Sequence, residues 1–238
     1  MEKQNNVIRG LSLFIGDIRS CSNKEQEEKV VYKEMAKVRA KFLKGGLSAY
    51  DRKKYIWKLI YAHILGYDVD FGHEVAISLI NCFKFQDKVT GYIGIGIMLD
   101  EKSDSNLFYN CLDTMKQDLV SGNEVREALA LSTLGNIGSP YLAQELAPAV
   151  IHKTLTENRS CPLYVKKKAC MCLLSFLRRE KAIYDKELWI EGLHSLLKST
   201  NYGLLLSACS LMKGTIKLFG YDGFESLVPQ LVVILSHI

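Results

Sequence analysis

The 238-residue sequence has no apolar run near the roughly 18 residues that a membrane span requires. No segment of it therefore reads as crossing a bilayer. Its 4 prolines are scattered, which removes proline-rich linkers and leaves long helices open to it. The 7 cysteines are an odd number without a Cys-x-x-Cys pair, the closest spacing being Cys170-x-Cys172. That usage predicts a reduced, cytosolic protein whose thiols are small core residues. His63, His73, His152, His194 and His237 are dispersed, and none belongs to a His-Glu-x-x-His motif. Met1 to Arg9 is polar and lacks the apolar block of a signal peptide. What is abundant is hydrophobic residue, at 48%, against 24% charged, enough for a large core and too much for global disorder.

Charge is unevenly placed. The net +5 of the chain conceals a net +7 over residues 1–58 and −2 over the remainder. Within residues 29–58, ten basic residues face only Glu34 and Asp51. The asymmetry predicts that the first quarter meets something anionic. A solvated basic helix face is the bland alternative.

Hydrophobic periodicity predicts helices throughout and no strand. Ser22-x-x-Glu25 reads as a capping box opening a helix that runs to Gly45-Gly46. Val31, Met35, Val38 and Phe42 form its apolar stripe; Lys33, Lys37, Lys41 and Lys44 form a basic one on another face. The next helix starts near Ser48 and ends at Gly66. Others are expected at about 71–82, 87–100, 106–120 and 123–137, then from Ser139-Pro140, interrupted at Pro148, to Leu155. The last four are expected from Pro162 to Arg179 and over 187–198, 203–219 and 224–237. Paired helices recurring every 35–45 residues predict an all-α fold, a right-handed α-solenoid of paired antiparallel helices of armadillo or HEAT type. The final helix, with Leu231, Val232, Val233, Ile234, Leu235 and Ile238, lacks a polar capping face, so residues 1–238 are expected to be one solenoid within a longer chain.

Catalytic chemistry is not legible. Gly91, Gly94 and Gly96 lie in the wrong order for a dinucleotide fingerprint and without a preceding strand, so close helix packing explains them. Gly135-x-x-Gly138 reads as a helix end. Cys170 and Cys172 have no His or carboxylate at ligand spacing and read as buried thiols. Lys166-Lys167-Lys168 reads as a solvated face. No nucleophile, base and orienting group assemble, so neither an enzyme, a cofactor nor a metal is expected.

One constellation points to a ligand. Arg52-Lys53-Lys54-Tyr55 occupies the first turn of its helix, and Lys58 follows Lys54 by one turn. Cations there oppose the positive end of the helix dipole. A helix N-terminus is also a natural anion site, and a polyphosphate headgroup would compensate the added charge. Lys44 can approach across the short connection, and the Tyr55 ring can pack on the ligand while its hydroxyl donates to phosphate. Nucleic acid would use the same charges, but no stacking platform or groove-reading helix accompanies them.

At these residues the sequence resembles a known family. Arg9-Gly10-Leu11-Ser12-Leu13-Phe14-Ile15-Gly16-Asp17-Ile18-Arg19 resembles the opening of the alpha-adaptins, large subunits of the plasma-membrane clathrin adaptor complex. Lys33 to Phe42, the basic run with Tyr55, and Leu65 to His73 continue the likeness. Leu134 to Gly138 and Val165 to Leu174 resemble adaptin trunk helices. The resemblance implies a non-enzymatic helical trunk at the cytoplasmic face of the plasma membrane, in coated pits. By position it implies that Arg9, Lys44, Arg52, Lys53, Lys54, Tyr55 and Lys58 bind phosphatidylinositol bisphosphate. It implies that Arg19, beside a small sigma subunit, receives the acidic residue of dileucine sorting signals. Implied partners are sigma, beta and mu adaptor subunits and dileucine cargo tails, with clathrin engaged only through regions outside this chain and no nucleic acid. Lys44 is followed by Gly45-Gly46-Leu47 where the family usually carries a further lysine. Leu99 to Asp104 and Leu227 to Leu231 look as much like gamma-type adaptins of Golgi and endosomal coats. That type, and a basic helical-repeat binder of nucleic acid or acidic peptides, stand as alternatives.

Overall fold

A computed structural model describes residues 8–99, 105–156 and 161–236. Residues 100–104, part of the gamma-like segment, lie outside the described residues, as do His237 and Ile238. The described residues form twelve α-helices and two 3-10 turns, without a strand. The chain divides into two compact units, with the boundary after Leu99.

The first unit contains α1 (Arg9–Arg19), α2 (Lys24–Lys44), α3 (Ala49–Ile64), α4 (His73–Ile80) and α5 (Phe85–Met98). The α2 stripe behaves as its period predicts: Val31, Met35 and Val38 are buried, while Lys33, Lys37, Lys41 and Lys44 are exposed. The cap lies one residue beyond the expected Ser22. Asn23 Oδ1 accepts from the Gln26 N–H, and Gln26 Oε1 accepts from the Ser22 N–H. An asparagine caps as well as a serine, and here it has the register that leaves Gln26 to reach back. α2 stops where Gly45 and Gly46 take φ of 69° and 68°, a region that resists side chains. Ser48 then caps α3, its Oγ accepting from the Asp51 N–H at 3.1 Å.

α3 is the axis of this unit. It packs on α1, α2, α4 and α5, and Ile56, Leu59 and Ile60 are at most 2% exposed. Full burial of each such side chain contributes about 1.5–3 kcal/mol. α5 lies against α4 because Gly91 lets it: a Cβ there would sit 2.6 Å from the Ile80 nitrogen and 2.7 Å from the Ala76 oxygen. Helix packing is thus the role of that glycine.

The second unit contains α6 (Ser105–Leu119), α7 (Glu124–Ile137), α8 (Pro140–Leu155), α9 (Leu163–Arg179), α10 (Lys186–Leu196), α11 (Tyr202–Phe219) and α12 (Val228–Ser236). From α6 to α11 each helix packs on the one two places along, α7 on α9 and α9 on α11, α6 on α8 and α8 on α10. Such two-layer stacking is the packing rule of an α-solenoid. α8 runs through Pro148, which was expected to interrupt it. Pro148 and Gln144, whose carbonyl loses its partner, are both exposed, while Leu142, Ala143, Leu146, Ala147 and Val150 anchor the opposite side. Water can satisfy the freed carbonyl, and packing offsets the cost of the proline. Gly138 caps α7 at φ 64°, and Cys170 and Cys172 are buried, as expected. Burial pushes the Cys170 thiol up to about 12.

Candidate anion-binding site

The cation run at the start of α3 is contiguous in sequence but divided in space. Successive residues of an α-helix point about 100° apart, so four neighbours cannot share one direction. Arg52 reaches α4, where its Nη1 donates to Ser78 Oγ at 3.3 Å; its Nε is buried without a hydrogen-bond partner. Lys53 reaches α5, its Nζ 2.7 Å from Asp87 Oδ1, an oxygen that nonetheless receives no aligned hydrogen bond. Lys54 turns toward α1, and a Cβ on Gly10 would lie 2.8 Å from its Cδ. Tyr55 meets α2, its ring edge-to-face with Phe42 at 5.9 Å between centroids. Lys58 is drawn inward, 7% exposed, with its Nζ 2.5 Å from Glu34 Oε1 and its charge over the Phe14 ring.

Three elements therefore meet at one corner. α1 brings exposed Arg9, next to the Gly10 that packs on Lys54. The last turn of α2 holds Phe42, whose ring meets Tyr55, and exposed Lys44, whose side chain leaves the helix about 200° from that of Phe42. The second turn of α3 brings Lys54 and Tyr55, the ammonium 4.5 Å from the Tyr55 ring centre and 5.5 Å from that of Tyr50. The run was expected in the first turn, but the helix begins at Ala49 and only Arg52 lies there. Arg19 is not part of this corner. It lies exposed in the last turn of α1, about 15 Å along the helix from Arg9 at 1.5 Å per residue.

Sequence reasoning named Asp51 and Glu34 but did not pair them with particular lysines, and it missed Asp87. Asp51 Oδ1 lies 2.6 Å from Lys54 Nζ, and Asp51 Oδ2 accepts from Ser48 Oγ at 2.7 Å. The Lys54 and Ser48 hydrogen bonds hold the Asp51 carboxyl below its usual range, and Lys41 adds to the effect. Burial works against the Lys54 ammonium, but the Asp51 hydrogen bond and the nearby Tyr55 outweigh it and raise its pKa. Burial likewise opposes the Glu34 carboxylate, and Lys58 with Lys37 overcomes it, so the Glu34 pKa is lowered. The Asp51–Lys54 pair has helical i, i+3 spacing and was available to a sequence reading. The Lys58–Glu34 pair spans 24 residues and was not.

Comparison with known proteins fixes the kinship. The adaptin N-terminal region family matches residues 27–238. The chain belongs to that family. It is 38% identical over 232 residues to the AP-2 complex subunit alpha-1 of Arabidopsis thaliana, covering 97% of this chain and 22% of that protein. It is 36% identical over 234 residues to an AP-2 complex subunit alpha-2 of Dictyostelium discoideum, covering 97% and 23%. A mouse AP-1 complex subunit gamma-like 2 is 33% identical over 233 residues, covering 96% and 28%. This adaptin chain thus spans about a quarter of the length of these relatives. The crystal structure of an engineered protein matches at TM-score 0.50 and 15% identity, covering 88% of this chain and 96% of that one, which speaks to the helical fold alone. The all-α solenoid class expected from periodicity holds for this adaptin.

Proposed function

We propose that the chain is the amino-terminal trunk of an alpha-type large adaptor subunit, a non-enzymatic scaffold that docks on phosphatidylinositol bisphosphate at the inner plasma membrane. In that role it assembles with sigma, beta and mu subunits and serves cargo selection in clathrin-mediated endocytosis. With a sigma subunit, Arg19 receives the acidic residue of dileucine signals. The relatives support the alpha type, since proteins named as AP-2 alpha subunits stand at 36–38% identity and the gamma-like one at 33%.

The observation that supports the lipid reading is that Lys54 lies over the Tyr55 ring and against Gly10 of α1, while Tyr55 meets Phe42 of α2; Arg9 and Lys44 are exposed one and two residues along from those contacts. Basic groups near an anionic leaflet contribute roughly 1 kcal/mol each, and convergent hydrogen bonds add headgroup preference. Arg52 and Lys53 extend the basic surface toward α4 and α5. Lys58 serves by holding Glu34, which keeps α2 against α3. No helix among the described residues is long and apolar enough to cross a membrane, consistent with peripheral attachment.

The test is co-sedimentation with phosphatidylcholine vesicles with and without phosphatidylinositol bisphosphate. The parent should sediment only with the bisphosphate vesicles, and less as salt rises. Arg9→Ala/Lys44→Ala/Lys54→Ala should weaken binding by tenfold or more while leaving the helical circular-dichroism signal intact. A folded triple variant that binds like the parent would sink the assignment.

A further inference from the structure

The Lys166-Lys167-Lys168 run begins a helix, α9, that carries five cations and no carboxylate. The face it turns to α7 borders an open cleft of about 380 Å³. Lys168, Met171, Ser175 and Arg178 line one wall; Leu131 and Asn136 of α7 line the other. On an α-helix these four α9 positions fall within about a quarter of the circumference, so they form one row. Ser175 Oγ donates to the Gly135 carbonyl at 2.8 Å, fixing the floor where a Cβ on Gly135 would meet the α9 backbone at 3.6 Å. Met171 is 46% exposed, an adaptable apolar patch midway along the row.

The cations of this cleft have no carboxylate partner among the described residues, although the Lys168 ammonium lies 6.0 Å from the Tyr164 ring centre. Neither Lys168 nor Arg178 forms an ion pair among the described residues, and no acidic side chain lines the cleft. The other α9 cations are directed elsewhere: Lys167 lies against Gly203 of α11, and Arg179 covers Gly138 at the end of α7. The site differs from the α3 corner, where Asp51, Asp87 and Glu34 each answer a lysine.

We propose that this α7–α9 cleft is a docking groove for an extended acidic peptide of a partner protein. Lys168 and Arg178 are ten residues apart, about 15 Å along the helix axis. An extended chain covers that span in four to five residues at about 3.3 Å each. The groove thus fits carboxylates spaced by about four positions with an apolar side chain between them, seated on the exposed Met171. A single phosphate group would need convergent cations, and two cations at opposite ends of an apolar floor do not converge. The exposed Asn136 amide on the rim can bond the peptide backbone. This inference is independent of the lipid reading and concerns the other compact unit.

The experiment is fluorescence anisotropy of the 238-residue chain with a labelled Glu-Glu-Ala-Leu-Ala-Glu-Glu peptide and its Gln-for-Glu and Lys-for-Glu counterparts. The Glu peptide should bind at least tenfold tighter than the Gln peptide, with affinity falling from 50 to about 300 mM salt. Lys168→Glu/Arg178→Glu should lose the Glu peptide and gain the Lys peptide, a reversal that an unfolded variant could not show. Arg9→Ala/Lys44→Ala/Lys54→Ala should leave peptide binding unchanged. Equal affinity for Glu and Gln peptides, or no transfer of preference on charge reversal, overturns the proposal. So does a reversal variant that loses bisphosphate vesicles but keeps the Glu peptide, which would make the cleft a membrane contact.

Discussion

Asp51 is an internal competitor for any anion that reaches Lys54, and its removal has a calculable consequence. Its carboxylate lies 2.6 Å from the Lys54 ammonium and is itself fixed by Ser48, so a headgroup phosphate must displace it or share the lysine. Asp51→Asn keeps the size and an acceptor for Ser48 but leaves Lys54 as a full positive charge. One added unit of charge beside an anionic leaflet is worth about 1 kcal/mol, or roughly fivefold in affinity. The same substitution removes an acid from the first turn of α3, costing the helix about 0.3–1 kcal/mol. Thus binding should strengthen while stability falls slightly, a combination that nonspecific damage cannot produce. Co-sedimentation with bisphosphate vesicles at about 150 mM salt reads the first effect, and urea unfolding reads the second. If Asp51→Asn bound the vesicles no better than the parent, Lys54 would not be contacting the headgroup.

Three further predictions concern the first compact unit. Gly91→Ala should destabilise the chain by about 1–3 kcal/mol, because the new methyl meets α4 backbone at 2.6–2.7 Å and only helix separation relieves it. Gly16→Ala, with nothing within 4 Å of the added carbon, should stabilise by about 0.5–1 kcal/mol; urea midpoints showing both shifts in the same direction would refute the packing argument. For the Lys58–Glu34 pair, the Glu34 pKa is lowered from 4.5 in the folded chain, so its contribution is present above pH 4.5 and lost as pH falls through the folded value. Glu34→Gln should cost about 2 kcal/mol at pH 7, since it leaves a buried ammonium unpaired, and should flatten the acid limb of the stability curve; an unchanged acid limb would refute the pairing.

The legible parts of this chain were those written in local periodicity. The α2 stripe of Val31, Met35 and Val38, the Gly45 stop and the Ser48 cap are all decided within one or two turns of chain. α1 was not singled out as a helix, because Gly10 and Gly16 lower its intrinsic propensity. Its helicity follows from burying Phe14 and Ile18 against neighbours distant in sequence. Pro148 misled for the same reason, since tertiary packing overrode a local rule. In the candidate site the residue types were readable and their directions only partly so. The basic run identified the right helix but put Lys53, Lys54 and Tyr55 one turn too early, and Ser78, Asp87 and Gly10, which decide where its side chains go, lie up to 44 residues away.

Net charge therefore locates binding surfaces poorly unless each cation is traced to its partner. Residues 29–58 carry ten basic and two acidic residues, a local net of +8, but three of those lysines already hold a carboxylate at 2.5–2.7 Å. An anionic ligand binding there, as proposed, would exchange one anion for another, so its affinity would depend on how easily Asp51 lets go more than on the number of lysines. The second unit, residues 100–238, carries 15 basic and 15 acidic residues, a net of zero, and would be passed over by the same count. Its α9 cleft nevertheless holds Lys168 and Arg178 without acidic partners among the described residues. A ligand reaching them displaces only water and salt ions, so its affinity should depend more simply on ionic strength than that of the α3 corner. The less conspicuous pair of charges is the one more fully available for binding.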